Sequence, residues 1–432
     1  MITLRQITEK IGDGLHGTPN YSIGGEYTFI NGNNLFEDKI IIKKNDKKVS
    51  ESEYIKYKKD LNQNTLFLSI NGTLGNFAFY NNEKIVLGKS ACYLNLKNNI
   101  DKKYIGYVLK NKGFQKYIES NSTGTTIKNV SLETIRNYTF DLPPINIQNE
   151  ISDFLSSLDT KIELNKKINE NLISIIQKLF KSWFLDFDPV LAKLNNIPTG
   201  LPKEIDNLFP NLLEETEFGK IPKGWKINDL FNLVTMKNGN AFKSKDWTEQ
   251  GVPVIKIRNV KFPFLEIDKC AYVSKDVAIE NKEYSLSRGD ILIGMTGYVG
   301  EVCLVPNLNQ MPLLNQRVGK IIPKSKYLSS FIFSMMLQPN FKNRVISISY
   351  GSAQQNVSSK EILKLKIVYN EKIAKYFSDL SSPILEKLLN NFEQNSLLYK
   401  IRDYILPKLI SNDFKVSDLN KIIVNKNDNV PN

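Results

Sequence analysis

Ten short polar runs, five in each half of the sequence, concentrate the side chains suited to hydrogen-bonded recognition. In the first half they are Asp13-Gly-Leu-His-Gly-Thr18, Asn31-Gly-Asn-Asn34, Asn71-Gly-Thr73, Lys89-Ser90 and Thr123-Gly-Thr-Thr-Ile-Lys128. Their candidate contact residues are His16, Thr18, Asn31, Asn33, Asn34, Asn71, Thr73, Lys89, Ser90, Thr125 and Lys128. The second half offers Lys237, Asn240 and Lys243, then Lys256, Arg258 and Asn259, then Thr296 and Tyr298, then Gln316 and Arg317, and finally Gln354 and Gln355. Asn and Gln can bond adenine through two hydrogen bonds, Arg and Lys read guanine, and Ser, Thr and Lys hold phosphates. The interspersed glycines let backbone amides come close to a phosphate. Taken singly, each run is equally an ordinary turn. Recurrence at matching places in both halves of a basic chain is what makes a nucleic acid the expected partner. The residues differ between halves while their positions agree, as two readers with different targets require.

Catalytic constellations are scarce. One histidine, His16, cannot build an HExxH zinc site or a paired-histidine relay. The three cysteines, Cys92, Cys270 and Cys303, are odd in number and far apart, which disfavours a zinc ribbon or a disulfide framework and suits a reduced, cytoplasmic chain. There is no GxxxxGK[ST] phosphate loop and no dinucleotide fingerprint. Asp141-Leu-Pro-Pro144 is similar to the Asp/Asn-Pro-Pro-Tyr loop of amino-methyltransferases, but a leucine intrudes and the tyrosine is missing, so the proline pair reads as a helix boundary. The expectation is a chain that catalyses nothing and carries neither metal nor cofactor. With 58 Lys+Arg against 45 Asp+Glu, its net charge of +13 favours polyanionic partners. No signal peptide and no apolar run of about 18 residues is present, so no membrane is expected.

The elements that must position these loops come in duplicate. Gly72 and Gly75 lie 225 positions before Gly297 and Gly300, and Gly124-x-x-x-x-Asn129-Val-Ser131 lies 227 positions before Gly351-x-x-x-x-Asn356-Val-Ser358. Phe29–Leu35 likewise matches Val254–Val260. Such ordered matches identify a tandem duplication. Short β-rich runs (Thr65–Ile70, Phe77–Tyr80, Cys92–Leu96; Val252–Ile257, Asp290–Met295, Val302–Val305) mixed with local helix at 103–119 and 328–345 give an α+β fold. The organisation expected is a domain at 1–145, a long helix at 146–186, a Pro-rich connector at 187–218, a second domain at 219–369, a second helix at 370–412 broken near Pro383, and a flexible tail at 413–432.

Apolar steps of three and four mark each long helix. Ile151, Leu158, Ile162, Asn165, Leu172 and Leu179 form one candidate seam, and Leu380, Ile384, Leu388, Asn391, Asn395, Leu398 and Ile405 the other. Either the helices pair with each other, the asparagines fixing register, or each packs on its own domain. Pairing is favoured because the segments are duplicates and too long for one small domain to cover.

At this point the sequence resembles a family. Gly14-Leu-His-Gly-Thr-Pro19, Ser69-Ile-Asn-Gly-Thr73, Gly88-Lys-Ser-Ala-Cys92, Asp159-Thr-Lys-Ile-Glu-Leu-Asn165, Leu179-Phe-Lys-Ser-Trp-Phe184, Gly219-Lys-Ile-Pro-Lys-Gly-Trp225 and Leu406-Pro-Lys-Leu409 are similar to motifs of the specificity subunits of Type I restriction–modification systems. The resemblance spans nearly the whole chain. It implies two target-recognition domains, each reading half of a split DNA site. It also implies an antiparallel coiled coil that holds them apart and docks two methyltransferase subunits, with restriction and translocase subunits joining through the complex. S-adenosylmethionine would sit on those methyltransferase subunits. A self-sufficient nucleic-acid methyltransferase and a duplicated coiled-coil interaction scaffold are the alternatives.

Overall fold

The computed structural model describes residues 1–351, 354–411 and 413–418. It divides into two compact units, one of Met1–Ile162 with the chain from Leu397 onward, the other of Glu163–Ser396. The units therefore differ from the domain limits 1–145 and 219–369: each takes a globular lobe together with part of both long helices.

Each unit contains a four-stranded antiparallel sheet with the same spatial order. In the first, Thr8–Asp13, Ala91–Leu96, Thr65–Ser69 and Phe77–Phe79 lie side by side. In the second the order is Val234–Asn238, Val318–Pro323, Ile291–Gly294 and Val302–Leu304. Every residue of Thr65–Ser69 and Ala91–Leu96 is buried, which explains their unbroken rather than alternating apolar character. Two of their polar members satisfy one another, Thr65 Oγ1 donating to Asn95 Oδ1 at 2.8 Å. A further sheet in each unit contains one parallel pairing, Tyr27–Ile30 beside Ile85–Leu87 and Val252–Ile255 beside Leu313–Leu314. The duplication thus extends to strand order and to pairing sense.

The long helices run over Ile145–Phe184 and Glu371–Ile410. The first starts directly after Pro143-Pro144, and the Pro144 carbonyl accepts from Gln148 N at 3.0 Å. In the first unit Ile151 and Leu155 share a core with Leu406, Leu409 and Ile410. In the second, Ile173, Ile176, Phe180 and Trp183 share one with Phe377, Leu385 and Leu388. Among the described residues, no helix is long and apolar enough to cross a membrane.

Three expectations about chain organisation are corrected. The helix does not break at Pro383. Ile373, Ala374 and Phe377 before the proline and Leu385, Leu388 and Leu389 after it pack into one core. The Ser378 carbonyl, a turn upstream, accepts from Ser382 Oγ at 2.6 Å and Ser330 Oγ at 3.2 Å. Tertiary burial thereby overrides a residue that costs an isolated helix interior about 3 kcal/mol. The Pro-rich stretch 187–218 is not a loose connector either: it forms helices Asp188–Leu194 and Lys203–Asp206, and Val190, Ile205 and Phe209 enter the second unit's core. The expected flexible tail starts with packed residues, since Val416 is buried and Phe414 lies against the first unit's core; its remainder, 419–432, lies outside the described residues.

Candidate nucleic-acid interface

In the first unit, hydrogen bonds join the polar runs into one contiguous edge. Leu15 N, beside His16, donates to the Leu87 carbonyl at 2.7 Å, and Gly14 N to that of Ala91 at 3.2 Å. This crossing is so close that a Cβ on Gly14 would meet the Gly88 carbonyl oxygen at 2.2 Å, which explains the glycine. From the 88–90 turn, Ser90 Oγ donates to Asn31 Oδ1 at 2.9 Å and accepts from Gly32 N at 2.8 Å. Gly72 N donates to the Lys128 carbonyl at 3.0 Å, tying the Asn71–Thr73 turn to the Thr123–Lys128 loop.

The second unit repeats the construction. Asn240 N donates to the Leu314 carbonyl at 2.9 Å and Gln316 N to that of Asn240 at 3.0 Å. A Cβ on Gly239 would meet the Leu314 oxygen at 2.2 Å. Met295 N donates to the Arg317 carbonyl at 3.2 Å, and Gly297 N to that of Gln355 at 2.9 Å. Loops distant in sequence are thus assembled beside one another in each unit, presenting His16, Thr18, Asn33, Thr73, Lys89 and Thr125 as exposed side chains in the first and Lys243, Arg258, Tyr298, Gln316, Arg317, Gln354 and Gln355 in the second.

Several candidates have structural duties. Asn34 and Asn259 are corrected from base-contacting to turn-holding residues, being 4% and 2% exposed. Asn34 Oδ1 accepts from Asn31 N at 2.9 Å and its Nδ2 donates to Asp46 Oδ2 at 2.9 Å and the Ile41 carbonyl at 3.0 Å. Asn259 Oδ1 accepts from Lys256 N at 3.0 Å and its Nδ2 donates to the Glu266 carbonyl at 2.9 Å. With these edges occupied, neither amide can read a base. His16 pairs with Asp13, Lys128 with Glu119, and Lys237 with Glu283. Asn240 Nδ2 donates to Asn281 Oδ1 at 2.7 Å, and Arg258 Nη2 to the Lys269 carbonyl at 2.6 Å. Lys256 Nζ sits 3.7 Å over the Trp247 ring, and burial, then the neighbouring Arg258, lowers its ammonium below the ordinary lysine value. Asn71, Ser90 and Thr296 are half-buried at the same edges.

Sequence reasoning missed Lys261, whose Nζ lies 4.8 Å over the exposed Tyr298 ring. Lys261 lies outside the matched segment Val254–Val260, so the repeat gave no signal for it. It also missed Asn129 and Asn356, which bridge Asn71 and Thr296 respectively; their recurrence in the Asn-Val-Ser repeat was the available cue. The cysteines offer no nucleophile. Burial pushes the Cys92 thiol up to about 12 and that of Cys270 to about 11, and raises Cys303 further.

The seam is polar at its centre. Asn165 Nδ2 donates to Asn395 Oδ1 and Gln394 Oε1, both at 2.8 Å, and one turn on, Asn391 Nδ2 donates to Asn169 Oδ1 at 2.8 Å. Numbering falls on one helix as it rises on the other, so the pairing is antiparallel. Ile151, Ile162 and Leu388 are buried, while Leu158, Leu172, Leu179, Ile384, Leu398 and Ile405 flank the seam half-exposed. Leu380, 41% exposed, is corrected out of it; Phe377 and Ser381 take the inward positions of that turn. In the first unit the helices meet through Arg402 Nη1 and Asp159 Oδ1 at 2.7 Å, with Tyr107 Oη donating to Asp159 Oδ2 at 2.9 Å.

Comparison with known proteins matches this duplicated arrangement. A family model described as the Type I restriction modification DNA specificity domain fits residues 3–173 and again 222–394. The chain is 27% identical over 339 residues to the Type I restriction enzyme HindI specificity subunit of Haemophilus influenzae, covering 68% of this chain and 72% of that protein. It is 26% identical over 316 residues to the MjaVIII specificity subunit of Methanocaldococcus jannaschii, covering 71% and 68%. The solved S subunit of a Type I restriction-modification system from M. genitalium shares the fold, with a TM-score of 0.56 at 18% identity over 95% of each chain.

Proposed function

This chain belongs to the Type I restriction–modification DNA specificity family, and from that premise we propose that it reads a bipartite DNA site, one half-site per unit, for methyltransferase and restriction subunits that assemble on it. The observation that carries the reading is the pair of loop edges. Each unit binds its five polar runs into one surface, and the exposed Asn, Gln, Arg, Lys and Thr side chains there match the donors and acceptors of base edges and phosphates.

The chain's own contribution is recognition. Arg317, Gln316 and Gln354 are the side chains of the second unit suited to direct readout, and Asn33 and Thr125 those of the first. The antiparallel helices set the spacing between half-sites and offer the surface on which two methyltransferase subunits dock. Transfer of a methyl group from S-adenosylmethionine belongs to those partners. Buried, protonated thiols and a lone histidine hydrogen-bonded to Asp13 suit a subunit that positions chemistry carried out elsewhere.

The test is domain exchange. Residues 1–145 are replaced by the corresponding lobe of a relative, the chain is co-expressed with its methyltransferase subunits, and methylated motifs are mapped genome-wide. One half of the motif is expected to change while the other half and the spacing stay. A change in both halves, or in neither, overturns the assignment of one half-site to each unit.

A further inference from the structure

Asn34 and Asn259, 225 positions apart, hold the same local structure in their two units. The Asn34 carbonyl accepts from Ile41 N at 2.7 Å while its side chain donates back to the Ile41 carbonyl at 3.0 Å. The Asn259 carbonyl accepts from Glu266 N at 2.9 Å while its side chain donates back to the Glu266 carbonyl at 2.9 Å. Ile41 and Glu266 are themselves 225 positions apart. Each unit therefore launches an excursion of the chain from one fixed point beside its polar edge.

Beyond the anchor, the two excursions differ in charge. Residues 41–48 carry Lys43, Lys44, Lys47 and Lys48 against Asp46 alone, whereas residues 266–273 carry Glu266 and Asp268 against Lys269. All four lysines of the first unit's excursion are exposed. Its one carboxylate is turned inward: Asp46 Oδ2 accepts from Asn34 Nδ2 at 2.9 Å and from Lys43 N at 2.7 Å. The negative charge is used to close the turn, and the positive charges are left in solvent.

The segment is also tied to the strand that leads into the Asn31 turn. Phe29 N donates to the Lys47 carbonyl at 2.8 Å, and Lys47 Nζ lies 4.3 Å over the ring of Tyr21, whose edge meets Phe29 with ring centres 5.9 Å apart. A basic segment anchored at Asn34 and at Phe29 is held at a fixed place beside the recognition edge.

We propose that residues 43–48 form an arm that grips the phosphates of double-stranded DNA next to the half-site read by the first unit, and that the second unit's equivalent, residues 268–273 with Asp268 offsetting Lys269, makes no such grip. This rests on the DNA-reading function proposed above and adds an asymmetry to it: most non-specific affinity enters through one unit. Each phosphate neutralised contributes about 0.9 to the slope of log affinity against log salt. Four lysines therefore account for a slope of roughly 3 to 4, and half of them for roughly 2.

The experiment uses the full chain assembled with its methyltransferase subunits, and a duplex bearing the motif that the complex methylates. Binding is titrated from about 50 to 300 mM KCl. Substitution of Lys43, Lys44, Lys47 and Lys48 by Gln is expected to make the slope shallower by about 3, and K43Q/K44Q by about half that. The ratio of affinities for motif and scrambled duplex should be kept. Lys269→Gln, at the second unit's equivalent segment, should leave the slope in place. Tight binding with an unchanged slope in the quadruple variant overturns the arm and leaves the DNA-reading function standing. Failure of the wild-type complex to prefer its motif overturns that function, and the arm with it.

Discussion

The Asn169–Asn391 pair allows a quantitative test of how the helices find one register. Both residues are buried, at 8% and 1% exposure, and the bond between them is 2.8 Å. Asn391→Leu leaves Asn169 Oδ1 without that donor, and Asn169→Leu leaves Asn391 Nδ2 without its acceptor. Each stranded group costs about 1–3 kcal/mol. In the double variant neither polar group remains, and two leucines fill the seam, so its stability should return to the wild-type value or exceed it. The expected coupling is about 2 kcal/mol. Urea unfolding followed by tryptophan fluorescence is a clean assay, because Trp183, Trp225 and Trp247, the only tryptophans, all belong to the unit that contains the pair. Single effects that add to within about 0.5 kcal/mol would refute the coupling. Only when Asn165 and Asn395 are replaced by leucine as well, which removes the remaining amide pair of the seam, should the assembled complex methylate more than one spacing.

Four other outcomes are expected. Arg402→Ala, which strands the Asp159 carboxylate with Tyr107 and Lys110 as its remaining partners, should destabilise the first unit by about 2–4 kcal/mol, measured by circular dichroism melting. Arg317→Ala should relax a single position of one half-site by about 1–3 kcal/mol in motif mapping, whereas equal weakening on every sequence would make Arg317 a phosphate contact. Because burial raises the Cys92 thiol to about 12, its contribution to stability is complete below the unfolded thiol value of about 8.5 and is lost as pH rises towards 12; in Cys92→Ala the alkaline decline in folding free energy should be shallower by up to about 1.4 kcal/mol per pH unit. Insertion of one heptad into each long helix adds roughly 10 Å, or about three base pairs, to the unread spacer and should leave both half-sites unchanged.

Much of the scaffold is legible from local and periodic signals. The unbroken apolar runs of the central strands and the Pro143-Pro144 boundary arise from features within a few residues, and the repeat offset from ordered matches between the two halves. The features that escape are those decided by tertiary partners. Pro383 is a helix breaker by its own chemistry, and only the core on either side carries the helix through it. Asn34 and Asn33 are chemically identical neighbours, yet one is buried in a turn and the other exposed, and no local pattern separates an amide that closes a loop from one that faces a base. Arg402 and Asp159 meet across 243 positions, a distance over which sequence gives no cue. On the first helix, size and spacing favour Leu172 and Leu179, whereas Ile173, Ile176 and Phe180 take the inward positions. A wide apolar stripe fixes the buried face of a helix more firmly than the individual knobs.

The polar seam also explains why a spacing-dependent reader would keep asparagines where leucines would bind more tightly. A slip of one heptad would set Asn165 against Leu388 and Asn169 against Ile384, and would strip Asn391 and Asn395 of their partners. Four buried amides would each lose about 1–3 kcal/mol, a gap of roughly 4–12 kcal/mol between correct and slipped pairings. An all-leucine seam has no such gap, because leucine meets leucine equally well in either alignment. The same slip displaces one helix along the other by roughly 10 Å, about three base pairs of duplex. Under the proposed function that is the difference between one recognised spacing and another, so fidelity of spacing depends on the energy separating registers rather than on the strength of the pairing. In the first unit the Arg402–Asp159 bond adds to that separation, since a slipped helix would leave Asp159 facing away from its guanidinium.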